Sequence, residues 1–150
     1  TCSNSTGQVT DVTVGLGEDV TCTFVNDDDA PSLTLIKNVT NDNGGTAVAS
    51  DWTLSAGDND VTGSEAGAVA TDQVGTYALS EIGPPGYTLS SLTCDNATGE
   101  VQSVTLGIGE SVTCTFVNDD DAPSLYLVKH VINDNGGEAV DGDWTLTAVG

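Results

Sequence analysis

Apolar and polar residues alternate along most of this chain. In SLTLIKNVT, at positions 32–40, Leu33, Leu35, Lys37 and Val39 share one face, while Thr34, Ile36, Asn38 and Thr40 share the other. The same period of two runs through DWTLSA, GTYALSE, GYTLSSLT, VQSVTL and SVTCTFV. That spacing marks half-buried strands. Between them stand NDNGG, GDND, GPPG, NATGE and GIGE, whose Gly, Asn, Asp and Pro content reads as turns. No stretch carries the period of an amphipathic helix. The pattern predicts an all-β fold, an Ig-like β-sandwich of about seven short strands per unit.

The pattern also repeats. A shift equal to the separation of Lys37 and Lys129 (129 − 37 = 92) lays residues 1–58 over 93–150, with about 40 of the 58 pairs identical. VTCTFVNDDDAPSL recurs unchanged at 20–33 and 112–125. A 92-residue unit is the size of one small domain. Its natural boundaries fall at the proline-containing acidic stretch. Residues 1–29 then form the C-terminal part of one repeat, 30–121 a complete repeat, and 122–150 the N-terminal part of the next. We expect a window on a tandem array of seven-stranded sandwiches, each meeting its neighbouring copies.

Lys37 and Lys129 are the only basic residues, and both sit at one repeat position on the inward face of a strand. Two other strands end their inward sets on polar residues. Tyr77, Leu79 and Glu81 form one set; Val112, Cys114, Phe116 and Asn118 form the other. An ammonium buried among leucines is costly unless paired or neutralised.

The pattern L-x-L-x-K, followed by G-T-Y-x-L-x-E-x-x-P-x-G-Y and F-V-N, resembles the prealbumin-like (Cna-B or SpaA-type) domains of bacterial adhesin and pilus stalks. The resemblance covers the whole 92-residue unit. It implies an intramolecular isopeptide bond with Lys37 as nucleophile, Asn118 as acceptor and Glu81 as the proton shuttle that polarises the asparagine carbonyl. The alternative is a buried Lys37–Glu81 ion pair with no covalent bond. No sortase sorting signal is visible in the sequence.

The charge changes the picture at the repeat junctions. With 23 acidic and two basic residues the formal charge is −21, so a compact state repels itself unless it takes up cations. Nucleic acid and anionic membrane are poor partners for such a surface; solubility or adaptation to high salt is the plain alternative. Parallel first and last strands would bring Asn41, Asp42 and Asn43 beside Asp119, Asp120 and Asp121 at one end of the unit. The other end would gather Asp27, Asp28 and Asp29 with Asp58 and Asp60, and Asp134 repeats Asp42. Oxygen ligands on irregular loops suit Ca²⁺ better than Mg²⁺, which demands tight octahedral geometry. NDDDAP also resembles the acidic linkers of cadherin repeats, over six residues only, and no EF-hand pattern is present. The competing reading is ordinary turn chemistry, which suffices for NDNGG alone.

Four cysteines fall as Cys2/Cys22 and Cys94/Cys114, each pair 20 apart (22 − 2 and 114 − 94), without zinc-ligand spacing. Two disulfides within repeats, in an oxidising compartment outside the cytoplasm, follow. N-x-[ST] triplets at Asn4, Asn38 and Asn96 are candidate sugar sites, and outward threonines are candidates for O-linked sugars. The single histidine, His130, should face solvent, and Trp52 and Trp144 should anchor cores. The chain has no Met, no signal peptide and no apolar run near a membrane span. No serine–histidine pair or phosphate loop supports a turnover enzyme. The sequence therefore reads as a module of an extracellular filament or surface stalk, stiffened by calcium, with an adhesin module binding a glycan or host ligand as the alternative.

Overall fold

The computed structural model describes residues 1–5, 7 and 9–149. Among these, all strands lie between Ser32 and Asp120. There are eight strands, not seven: β1 (Ser32–Thr40), β2 (Thr53–Ala56), β3 (Asn59–Thr62), β4 (Ala68–Thr71), β5 (Gly75–Ile82), β6 (Tyr87–Cys94), β7 (Ser103–Leu106) and β8 (Ser111–Asp120). The two without a matching sequence segment are β3 and β4. NDVT begins inside a turn signal and AVAT is alanine-rich, so neither alternates clearly. Both are edge strands.

The strands form two four-stranded sheets, ordered β4-β1-β8-β6 and β3-β2-β5-β7. Leu33 and Leu35 of β1, Leu92 and Cys94 of β6, and Val112, Cys114 and Phe116 of β8 face Leu54, Ala56, Leu79, Val104 and Leu106 of the other sheet. Trp52 closes the core just before β2. The first and last strands pair in parallel from Ser32↔Ser111 to Thr40↔Asp119. Inward residues lie opposite inward residues, Leu33 with Val112 and Leu35 with Cys114, so a slip of one position would turn both strands inside out. The chain therefore enters the sandwich at one pole and leaves at the other on the adjacent strand.

Both disulfides are present. Cys94–Cys114 ties β6 to β8 inside the core, where these residues are direct cross-strand partners, and Cys2–Cys22 closes the segment before the sandwich. Closing a loop of 20 residues removes unfolded-state freedom equivalent to about 3 kcal/mol in the chain-entropy account. Residues 122–149 contribute one turn of 3-10 helix and no strand. No helix among the described residues is long and apolar enough to cross a membrane.

Candidate functional site

Lys37, Asn118 and Glu81 meet between the sheets. The lysine is fully buried, Asn118 is 3 % exposed and the Glu81 side chain 13 % exposed. Lys37 and Asn118 sit on neighbouring strands, β1 and β8, and Glu81 comes across from β5. The lysine Nζ contacts Asn118 Oδ1 directly, lies 3.3 Å from the Asn38 carbonyl and 3.4 Å from Glu81 Oε2. Asn118 Nδ2 donates to Glu81 Oε1 at 2.7 Å. The glutamate thus faces the amide nitrogen, where the sequence reading put it at the carbonyl. That position suits delivery of a proton to a leaving amine.

An indole roofs the group: Nζ lies 4.6 Å from the Trp52 ring centroid. Trp52 in turn meets Tyr87 edge to face at 5.2 Å. A Cβ at Gly83 would collide with the indole nitrogen, so the residue three before the PPG turn ends must lack a side chain. Burial pushes the Lys37 ammonium below its usual range, with the Glu81 charge opposing the shift. A larger share of Lys37 is then neutral and nucleophilic near pH 7. Glu81 Oε2 is buried and accepts no hydrogen bond among the described residues, so the carboxylate is held by Asn118 and the lysine charge.

The trailing pole, where β8 ends, gathers the predicted acidic residues in an unexpected way. Asp119 and Asp120 are strand residues rather than linker. Asp120 is 6 % exposed, and its carboxylate accepts backbone N–H groups from Asp42 at 2.8 Å, Asn43 at 2.9 Å and Gly45 at 2.6 Å. These donors hold its carboxyl below the usual aspartate range against the opposing effect of burial. Asn43 Nδ2 adds a bond to the Asp120 carbonyl at 3.1 Å. Tyr87 braces the same turn, donating to Asn41 Oδ1 at 2.6 Å and accepting the Ala47 N–H at 2.9 Å. Tyr87 was legible only as the last letter of P-x-G-Y; its link from the turn to the Trp52 roof is a finding of the structure. Oxygens of Asp42, Asp119 and Asp120 lie within 4.8 Å of one another, and Asp119 Oδ1 is buried with no hydrogen-bond partner among the described residues.

The prealbumin-like fold domain family of SpaA type matches residues 28–116 and 120–150. The chain belongs to that family. No curated protein and no solved structure matches it.

The remaining predicted ligands of this prealbumin-like chain do not converge. At the leading pole Asp27, Asp28 and Asp29 are exposed, and Asp29 meets the 107–110 turn rather than Asp58 and Asp60. Asp60 accepts from Ser55 Oγ at 2.6 Å, and Asp58 lies exposed in the β2–β3 turn. The reason is topological: β1 opens by hydrogen bonding to Glu110, which draws the incoming chain over the β7–β8 turn. Asp134 takes only the neighbouring Asn135 amide at 2.7 Å. Asp121 accepts from Thr88 Oγ1 at 2.7 Å.

Asn38 is exposed on β1 as expected. Asn96 Nδ2 donates to the Thr105 carbonyl and to Glu110 Oε1, both at 3.4 Å; Asn4 repeats this with the Thr13 carbonyl at 3.1 Å and Glu18 at 3.2 Å. The nitrogens that a sugar would need at Asn4 and Asn96 are thus engaged in hydrogen bonds. Thr6 of the Asn4 triplet lies outside the described residues. Lys129 and Trp144 reproduce the Lys37–Trp52 pair at 4.4 Å without the rest of a sandwich around them.

Proposed function

We propose that this chain is a structural module of an extracellular bacterial filament or surface stalk, built of 92-residue prealbumin-like units in tandem, each closed by a Lys37–Asn118 type isopeptide bond. One observation carries the proposal: the triad joins β1 to β8, the strands by which the chain enters and leaves at opposite poles. Tension along such a stalk runs through those two strands. The family match supports the surface placement, and its second stretch, starting at residue 120, falls where the sequence repeat restarts. Neighbouring units are the partners in this reading.

In the bond-forming step neutral Nζ attacks Asn118 Cγ. The proton that Nζ sheds passes through Glu81 to Nδ2, the Cγ–Nδ2 bond breaks, and ammonia leaves. No oxidant or cofactor is needed, and each site turns over once. The buried Trp52 ring covers the attacking amine. Intact mass of the reduced chain tests this. The expected value is about 17 Da below the sequence mass, one ammonia from the Lys37–Asn118 bond alone, since among the described residues no glutamate pairs with Lys129 as Glu81 does with Lys37. An unshifted mass would reduce the triad to a buried ion pair.

Calcium at the trailing pole is the second element of the proposal. Asp42 and the unpartnered Asp119 Oδ1 offer oxygens there, with Asp120 committed to the backbone. Flexible, oxygen-only coordination is what calcium accepts.

A further inference from the structure

Asp121 follows β8 directly. Its N–H donates to the Gly86 carbonyl at 2.9 Å and its Oδ1 accepts from Thr88 Oγ1 at 2.7 Å. Both partners belong to the sandwich that Asp121 leaves. One repeat earlier (121 − 29 = 92), Asp29 stands before the same sandwich. Its carbonyl accepts the Gly109 N–H at 2.8 Å. Pro31 is buried, and the Ser32 N–H then donates to the Glu110 carbonyl at 2.8 Å. Gly109 holds φ +67°, and a Cβ there would lie 3.3 Å from Asp29 Cβ. Glycine therefore serves both the turn and the close seating of the incoming chain.

Asp29 and Asp121 are the same letter of an octapeptide, NDDDAPSL, that is identical at 26–33 and 118–125. The contacts behind Asp121 and those ahead of Asp29 are thus the two sides of one repeated residue. They use different atoms. The N–H and carboxylate bind the preceding unit, and the carbonyl binds the following one, so neither set displaces the other.

We propose that this aspartate brackets consecutive units rigidly, the docking surface for each unit being the 107–110 turn of the unit that follows it. The inference rests on the tandem reading above. Between the bracket and the next buried residue only one alanine intervenes, and the proline after it has a fixed φ. The junction then needs no metal to be stiff. With strands of ten residues and a three-residue link, each unit should advance the array by roughly 40 Å.

The test is the full chain with a second copy of residues 30–121 inserted after Asp121, which recreates the octapeptide at the new junction. Fluorophores on non-natural residues at the exposed Ile82 position of each copy report the distance between units in EDTA. A single narrow distribution in EDTA, unchanged by calcium, is expected. Asp121→Gly or Thr88→Val in the first copy should broaden it while each unit keeps its melting temperature. A broad distribution in EDTA overturns the bracket, and narrowing only on adding calcium would assign the stiffness to metal instead. Either result leaves the isopeptide and stalk reading to the mass measurement, which does not depend on junction geometry.

Discussion

Asn118→Ala and Glu81→Gln should each lower the thermal midpoint by roughly 20–30 °C and restore the ammonia to the intact mass. The proposed Lys37–Asn118 cross-link would close a loop of 81 residues. In the chain-entropy account such closure is worth about 4.5 kcal/mol, and a domain of this size loses several degrees per kcal/mol. Glu81→Gln separates chemistry from packing, since it keeps the side-chain volume and removes the proton carrier. If this variant folds, stays uncrosslinked and melts with the wild type, the bond contributes nothing to stability. The pH dependence gives a second reading. In the uncrosslinked variant Lys37 remains an amine whose pKa burial lowers in the folded state. The unfolded chain then holds the extra proton, so stability rises as pH climbs from the folded value to the ordinary lysine range near about 10.4. In the cross-linked wild type the amine is consumed and that slope should vanish.

Asp120→Ala should cost on the order of 10 °C or more in melting temperature, because three backbone N–H groups of the 42–45 turn lose a charged acceptor. Its folded pKa is depressed, so its contribution is complete above the ordinary aspartate value near about 3.9 and disappears as pH falls through the lower folded value. Melting scans from pH 7 to pH 2 check both, with the acid slope absent in the alanine variant. Asp119→Asn makes the contrast. It should melt normally in EDTA yet lack the gain in stability that the calcium proposal expects of the wild type. A wild type that gains nothing from calcium would leave all three aspartates with structural duties alone.

Those duties answer why the chain repeats three adjacent aspartates. Asp119 ends the pairing of β8 with β1, Asp120 caps the turn of the same unit, and Asp121 takes a threonine and the Gly86 carbonyl. Composition alone could not separate them, since identical side chains differ only in what the strand register sets opposite. The triad was legible for the converse reason. Alternation fixes which face a strand residue occupies, so Lys37, Glu81 and Asn118 had to point inward. Which oxygen or nitrogen faces the glutamate depends on how the sheets are set against each other, and this no single strand encodes. β3 and β4 escaped because short edge strands need little apolar alternation, their partners supplying the burial. Tyr87 and Gly83 lie in a turn, where residue type signals a bend but not what packs on it.

Force applied to the two ends of the 150-residue chain, with the disulfides intact, tests the stalk reading most directly. Of the 81 residues between Lys37 and Asn118 the disulfide locks 20, leaving 81 − 20 = 61 that could pay out on unfolding. The account predicts that the wild-type sandwich does not lengthen, while Glu81→Gln extends in one step of roughly 200 Å. A wild-type step of the same size would contradict it, since tension would then be borne by hydrogen bonds rather than by a covalent path from β1 to β8.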